Sequence, residues 1–358
     1  MEKKRLLSLD VLRGLTVFGM IVVNNAGGCQ SYESLRHSAW NGLTPCDLVF
    51  PFFLFIMGIS TYIALRKFDF QPSAPVIRKI LKRTVLILLI GWAIGWFDFA
   101  CEGDFFPFAH LRLTGVLPRI ALCYCVASLL ALYVNHKRLA WIAGILLVGY
   151  AVLLCMGNGY ACDETNILSV ADRGILGTDH LYRKSPIDPE GLVSTLSAIA
   201  HTLIGFCCGA LMLKKGISLE TRILKLAVTG FLLMAVGFLL TEAFPLNKRI
   251  WSPTFVLVTC GLAAMLQATL TYFIDLKGKK DWCRFFEVFG VNPLFLYVLS
   301  EVAAIVISAT ESKPVVYGVI HSCISDPYLA SACYSLLFAL VMGGCGYWLY
   351  KKKIYIKL

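Results

Sequence analysis

The sequence predicts an all-α polytopic membrane protein of about ten transmembrane helices with both termini cytoplasmic, and three observations carry that prediction. Apolar residues run continuously rather than alternately, in segments of about 20 residues, enough to cross a hydrocarbon core of roughly 30 Å. Only 15% of the 358 residues are charged and 58% are hydrophobic, with a mean hydropathy of +0.72; a soluble domain carries about a quarter charged residues. The charges that exist sit in short loops, with one sign crowded on alternate sides.

Ten spans follow in order: 11–28, 46–65, 80–97, 115–134, 139–156, 194–213, 223–241, 253–274, 286–308 and 331–350. The first has the basic start of a signal peptide, Glu2-Lys3-Lys4-Arg5. No small-x-small cleavage site ends it and Asn24-Asn25 follow, so it reads as a retained span. With the N-terminus inside, 23 of the 33 Lys and Arg fall on or beside inner segments and 9 on outer ones. That bias puts residues 29–45 outside, and with them the long periplasmic loop 157–193. The whole chain, 1–358, reads as one transmembrane domain. The net charge of +11 is explained by inner loops, which removes nucleic acid as a partner and leaves membrane lipid. Most of the fourteen Cys lie in spans as small apolar residues, and no metal-ligand spacing appears, so no metal is expected. Cys101, Cys162 and Cys323 fall in outer loops, where a disulfide is open.

Five constellations carry polar chemistry. Residues 37–47 place His37, Trp40, Asn41, Thr44 and Asp47 at a membrane surface, near Asn24 and Asn25. Imidazole transfers protons near neutrality and a neighbouring carboxylate fixes its tautomer; the plain alternative is a loop histidine beside a helix-capping Asp47. Asp10 and Arg13, three apart on one helix face, either pair structurally or offer Arg13 to a phosphate. Arg112 and Arg119 precede and enter the fourth span, where a charge needs a partner, and Asp47 is one candidate. Asn247, Lys248 and Trp251 suit a sugar, by stacking and hydroxyl contacts, or form an interfacial belt. Gly290, Asn292 and Pro293 break the ninth span, as a pore wall or a simple kink. His201, alone within a span, reads as hydrogen-bonded structure.

These stretches together carry a resemblance. Arg5-Leu-Leu-Ser-Leu-Asp-Val-Leu-Arg-Gly, Val23-Asn24, His37-Ser-Ala-Trp-Asn-Gly-Leu-Thr with Asp47-Leu-Val-Phe-Pro, Gly115-Val-Leu-Pro-Arg-Ile, Asp188-Pro-Glu-Gly, and Asn247-Lys with Trp251-Ser-Pro resemble heparan-α-glucosaminide N-acetyltransferase and its bacterial relatives, in order and over nearly the whole chain. The resemblance implies transfer of acetyl from cytoplasmic acetyl-CoA to an amino sugar or glycan end outside. It implies His37 as the active-site residue and Asn24 as its neighbour; the chain departs in carrying Asn25 directly after Asn24. The lumenal domain of the animal enzyme is missing, which implies a multi-pass form in a bacterial inner membrane. On this reading His37, Asn24 and Asp47 are catalytic. Asn41, Trp40, Asn247, Lys248 and Trp251 hold the acceptor. Arg13, Arg112, Arg119 and Asn292 hold the donor. His37 acts as general base or as a nucleophile forming acetyl-imidazole. Two further readings stay open, an O-acetyltransferase of a periplasmic glycan and a sugar or organic-anion transporter. A homodimer is allowed.

Overall fold

The computed structural model describes residues 6–183 and 185–356. Lys3, Lys4, Arg5, Lys184 and Lys357, which enter the charge count above, lie outside the described residues. The helices are α1 (Leu7–Asn24), α2 (Val49–Leu65), α3 (Ala74–Cys101), α4 (Val116–Tyr133), α5 (His136–Met156), α6 (Ile167–Leu176), α7 (Thr195–Met212), α8 (Leu219–Leu239), α9 (Pro253–Leu270), α10 (Cys283–Val291), α11 (Pro293–Ala309), α12 (Ser312–Cys323) and α13 (Pro327–Lys351). Among the described residues there is no strand. Among the described residues, nine helices are long and apolar enough to cross a membrane. The pair α10 and α11, bent by 80° at Asn292, makes a tenth if taken as one span.

Burial sorts the helices. In α7 and α9, 72% of the apolar window is buried inside the protein, against 11% in α3, 17% in α8 and 28% in α5. The first two form the axis, and the last three turn most of their surface outward, where lipid takes the place of a core. Close approach at the axis depends on small residues, as it does between helices in lipid. A Cβ on Gly58 of α2 would stand 2.2 Å from the Thr202 carbonyl oxygen of α7, and one on Gly205 would stand 2.2 Å from that of Phe55. The pair Gly14 and Gly290 seats α10 on α1 in the same way, with Gly290 a would-be 1.9 Å from the Asp10 carbonyl.

Two of the expected spans need correction. The first runs 7–24, not 11–28. Its start is extended by Ser8, which bonds Thr271 and receives the Gln267 amide. Its end is fixed by Asn25, buried, whose amide donates to the Ile21 carbonyl at 2.8 Å. The expected ninth span, 286–308, is two helices. Pro293 begins α11, and the side-chain amide of Asn292 donates to the Ile354 carbonyl and accepts from the Ile356 N–H, each at 2.9 Å. The long loop is ordered as well. Asn166 caps α6 by accepting from the Leu168 N–H, and its amide ties back to Gly159 and Ala161. All fourteen cysteines are free thiols, Cys101, Cys162 and Cys323 included.

Candidate active site

The connection from α1 to α2 is an irregular segment that must answer its own backbone groups. Thr44 and Asp47 do this with a capping box over the short turn Pro45–Leu48 that leads into α2. Asp47 Oδ2 accepts from the Thr44 N–H at 3.2 Å, the Thr44 hydroxyl at 3.0 Å and the Ser38 N–H at 3.1 Å. The other oxygen, Oδ1, lies 2.7 Å from His37 Nδ1. One buried carboxylate therefore closes the turn and orients the imidazole. His37 itself is half-exposed, its side chain 48% accessible.

Lys248 completes the cluster from the loop before α9. Its Nζ lies 3.3 Å from Asp47 Oδ1, 2.9 Å from His37 Nδ1 and 3.4 Å from Nε2. A neutral imidazole carries one N–H. With Nδ1–H donated to the carboxylate, the lone pair sits on Nε2. Cys46 packs its thiol 3.1 Å from Nδ1. The loop is held to the His37 segment by two further bonds, Asn247 Nδ2 to Asn41 Oδ1 at 3.1 Å and the Gly42 N–H to the Leu246 carbonyl at 2.8 Å. Trp40 is anchored on the long loop, its indole N–H donating to the Tyr160 carbonyl at 3.0 Å.

Beneath this surface lies a buried layer. Trp251 is 1% exposed and adopts φ 51°, a left-handed conformation rare for a bulky residue. Its ring packs edge-on against Phe50 and Phe255 and lies under the Arg119 guanidinium at 5.0 Å. Arg119 is not paired with Asp47, contrary to one expectation, because that carboxylate is taken by His37 and Lys248. Its Nη2 bonds the Gly191 carbonyl at 3.1 Å and the Ser194 hydroxyl. His201 also departs from expectation. Its ring, 6.0 Å from that of Trp251, makes no hydrogen bond; the Pro51 carbonyl approaches without meeting that geometry.

The remaining candidates lie outside the His37 cluster, Arg112 through the same turn that Arg119 bonds. Arg112 pairs with Asp188 at 2.5 Å and Glu190 at 2.7 Å, and Thr114 bonds the same Asp188. Burial works against each charge in this pair. The partners win, holding Arg112 charged beyond its usual range and Asp188 well below the usual carboxylate range. Asp172 on α6, also buried, accepts from the Val193 N–H, and burial raises it to about 6. Asn24 donates to Glu301 of α11 at 3.4 Å rather than to His37. Arg13 pairs with Asp10 at 2.6 Å near the start of α1, at the opposite end of that helix from the His37 segment, and Asn292 lies at the same far end. The site thus joins His37, Asp47 and Lys248 directly, with Asn41, Asn247 and Trp40 as its frame and Trp251 and Arg119 beneath. Sequence reasoning passed over Cys46, Glu190 and Glu301. Glu301 carried a usable signal, since an acid in an apolar run marks a site by default.

Residues 5–183 match the family model for the catalytic part of heparan-alpha-glucosaminide N-acetyltransferase. The human protein named heparan-alpha-glucosaminide N-acetyltransferase is 27% identical over 355 residues, covering 83% of this chain and 53% of its own. The mouse protein of that name is 26% identical over the same shares. The chain spans about half the length of the curated relatives it matches. The matched segment contains His37, Asp47, Arg112 and Arg119, the helix ends and turns that build the site from one side, and the chain belongs to the heparan-alpha-glucosaminide N-acetyltransferase catalytic family.

Proposed function

We propose that this chain transfers an acetyl group from acetyl-CoA to the amine of a glucosamine-type sugar end, in a bacterial inner membrane with the acceptor on the outer side. The observation that carries the reading is the 2.7 Å contact between a half-exposed His37 and a fully buried Asp47, in a segment matching this family. An amino sugar is largely protonated near neutral pH, so its nitrogen must lose a proton before it attacks. His37 Nε2 takes that proton, with Asp47 balancing the imidazolium. The C–N bond forms at the thioester carbonyl, and the Lys248 ammonium stands beside the ring where oxyanion charge develops. The C–S bond then breaks, and His37 returns the proton to the leaving thiolate of CoA.

Donor access from the end opposite His37 is supported by charge. Arg66, Lys67, Arg78, Lys79 and Lys82 gather there, the last three lining a groove of about 320 Å³ at the start of α3 with Ala74 and Pro75. Such an end suits a polyanionic nucleotide, and it also obeys the orientation rule that places it in the cytoplasm.

Purified protein supplied with acetyl-CoA and glucosamine tests the reading. Wild type releases CoA and forms the amide, and His37→Ala releases none above background. Undiminished CoA release by that variant sinks the proposal. An ester product, cleaved by mild base, would reassign the acceptor atom.

A further inference from the structure

Directly under the His37 cluster, the protein buries more hydrogen-bond donors than it answers. Arg119 is 1% exposed, and its Nε and Nη1 have no hydrogen-bond partner. No carboxylate of the described residues forms an ion pair with it. The indole N–H of Trp251, both ring nitrogens of His201 and the hydroxyl of Ser197 are likewise buried and unanswered. A single orphan of this kind costs stability, because a buried donor without a partner has lost its water and gained nothing. Several in one place, around a Trp held in left-handed backbone, mark a site whose partner comes from outside the chain.

The groups converge from separate elements. Arg119 lies over the Trp251 ring, and the His201 ring is 6.0 Å from it. Ser194, which caps α7, and Ser197 and His201 on its first turns follow one another at helical spacing, and Arg119 holds the first of them. Donors dominate. Nε carries one N–H and Nη1 two, the indole one and a neutral imidazole one, against the acceptors of one imidazole nitrogen and a hydroxyl. The matching ligand is rich in oxygen acceptors. Water offers as many donors as acceptors and so answers this set poorly.

Position narrows the class further. Trp251 follows Lys248 by three residues, and Phe50, which packs on it, follows Asp47 by three. A molecule with its reactive carbon at His37 and its tail in the bundle must pass this layer. We infer that Arg119, His201 and Trp251 form a buried donor seat for the amide carbonyl oxygens of the pantetheine arm of CoA, fixing the arm while the thioester lies at His37. The inference rests on the acetyl-CoA reading above and adds to it which residues grip the arm.

Calorimetric titration of the detergent-solubilised full chain tests it with three probes. These are CoA, S-acetylpantetheine, which has the arm without the nucleotide, and adenosine 3′,5′-bisphosphate, which has the nucleotide without the arm. Trp251→Phe keeps a ring for Phe50 and Phe255 and removes the N–H. Arg119→Lys keeps the charge and removes the fork. Each variant is expected to bind CoA and S-acetylpantetheine about tenfold more weakly, with the larger loss for Arg119→Lys. The bisphosphate is expected to bind every protein equally, which also shows that the variants are folded. Equal CoA affinity in wild type and both variants overturns the seat and leaves the acetyltransferase reading standing. A parallel loss for the bisphosphate also overturns it, as a general disturbance. If wild type binds none of the three probes, both the seat and the acetyl-CoA reading fall.

Discussion

Lys248 Nζ lies 2.9 Å from His37 Nδ1 and 3.4 Å from Nε2, so an ammonium stands at the edge of the imidazole proposed as the base. In the proposed transfer the Lys ammonium is placed to meet negative charge as it develops at the carbonyl. Lys248→Met is expected to lower kcat by roughly 10²-fold, the scale of losing one oxyanion donor. Steady-state CoA release measures it, and an unchanged kcat would remove Lys248 from the chemistry.

Asp47→Asn keeps the size of the side chain and removes the charge that selects the Nδ1–H tautomer. By analogy with orienting carboxylates elsewhere, the loss in kcat is about 10⁴-fold. The capping box is weakened as well, at a cost of about 1 kcal/mol. A variant that folds and keeps full activity would show that the carboxylate serves the turn alone.

The Arg112–Asp188 pair gives the long loop an acid limit. Asp188 is held below its usual range, so its stabilising contribution is complete above the unfolded value, about 3.9, and disappears as pH falls through the folded one. Wild type should therefore lose thermal stability below about pH 4. Asp188→Asn should be less stable at pH 7, by on the order of 3 kcal/mol, and its melting temperature should respond less to acid. Parallel acid profiles for the two proteins would contradict this.

Asp172 works in the opposite sense. Buried and raised to about 6, it binds its proton more tightly folded than unfolded. Stability is then highest at low pH and declines as pH rises from about 4 to 6. Asp172→Asn removes that decline and should melt higher than wild type at pH 7. Melting curves of both proteins at pH 4.5 and pH 7 decide it, and a variant less stable at both would refute the assignment.

The α2–α7 crossing has no room for a methyl group. Gly58→Ala forces a Cβ toward the Thr202 carbonyl, which is backbone and cannot swing aside. The helices must part, at a cost of about 1–3 kcal/mol or more. Reduced yield and a lower melting temperature are expected, while Gly144→Ala on α5, where a Cβ meets nothing within 4 Å, should behave as wild type.

Much of this was legible in the residues. Hydropathy located the long apolar helices but not the short α6 and α12, because lipid demands long unbroken apolar runs, and the polar run at 37–47 stood out against them. The His37–Asp47 contact was one of two alternatives, and the structure shows both at once, since the same carboxylate caps the turn. What stayed hidden was partnership between distant segments. Nothing near Lys248 says that it returns to residue 37, and nothing near Arg119 says that a turn at Gly191 intercepts it before Asp47 can. Asn24 and Asn25 looked equivalent. Only the fold separates a helix-ending amide from one that faces Glu301.

The bend at Asn292 has a consequence for motion. Broken helices in membranes often act as swinging parts, but this one is clasped on both sides. The amide of Asn292 grips the chain at Ile354 and Ile356, while Gly290 lies so close to the Asp10 backbone that no side chain fits between them. An elbow so fastened is a brace rather than a gate. A scaffold braced at that end suits cargo that is handed on as a small acyl fragment more than cargo ferried whole through a rocking bundle.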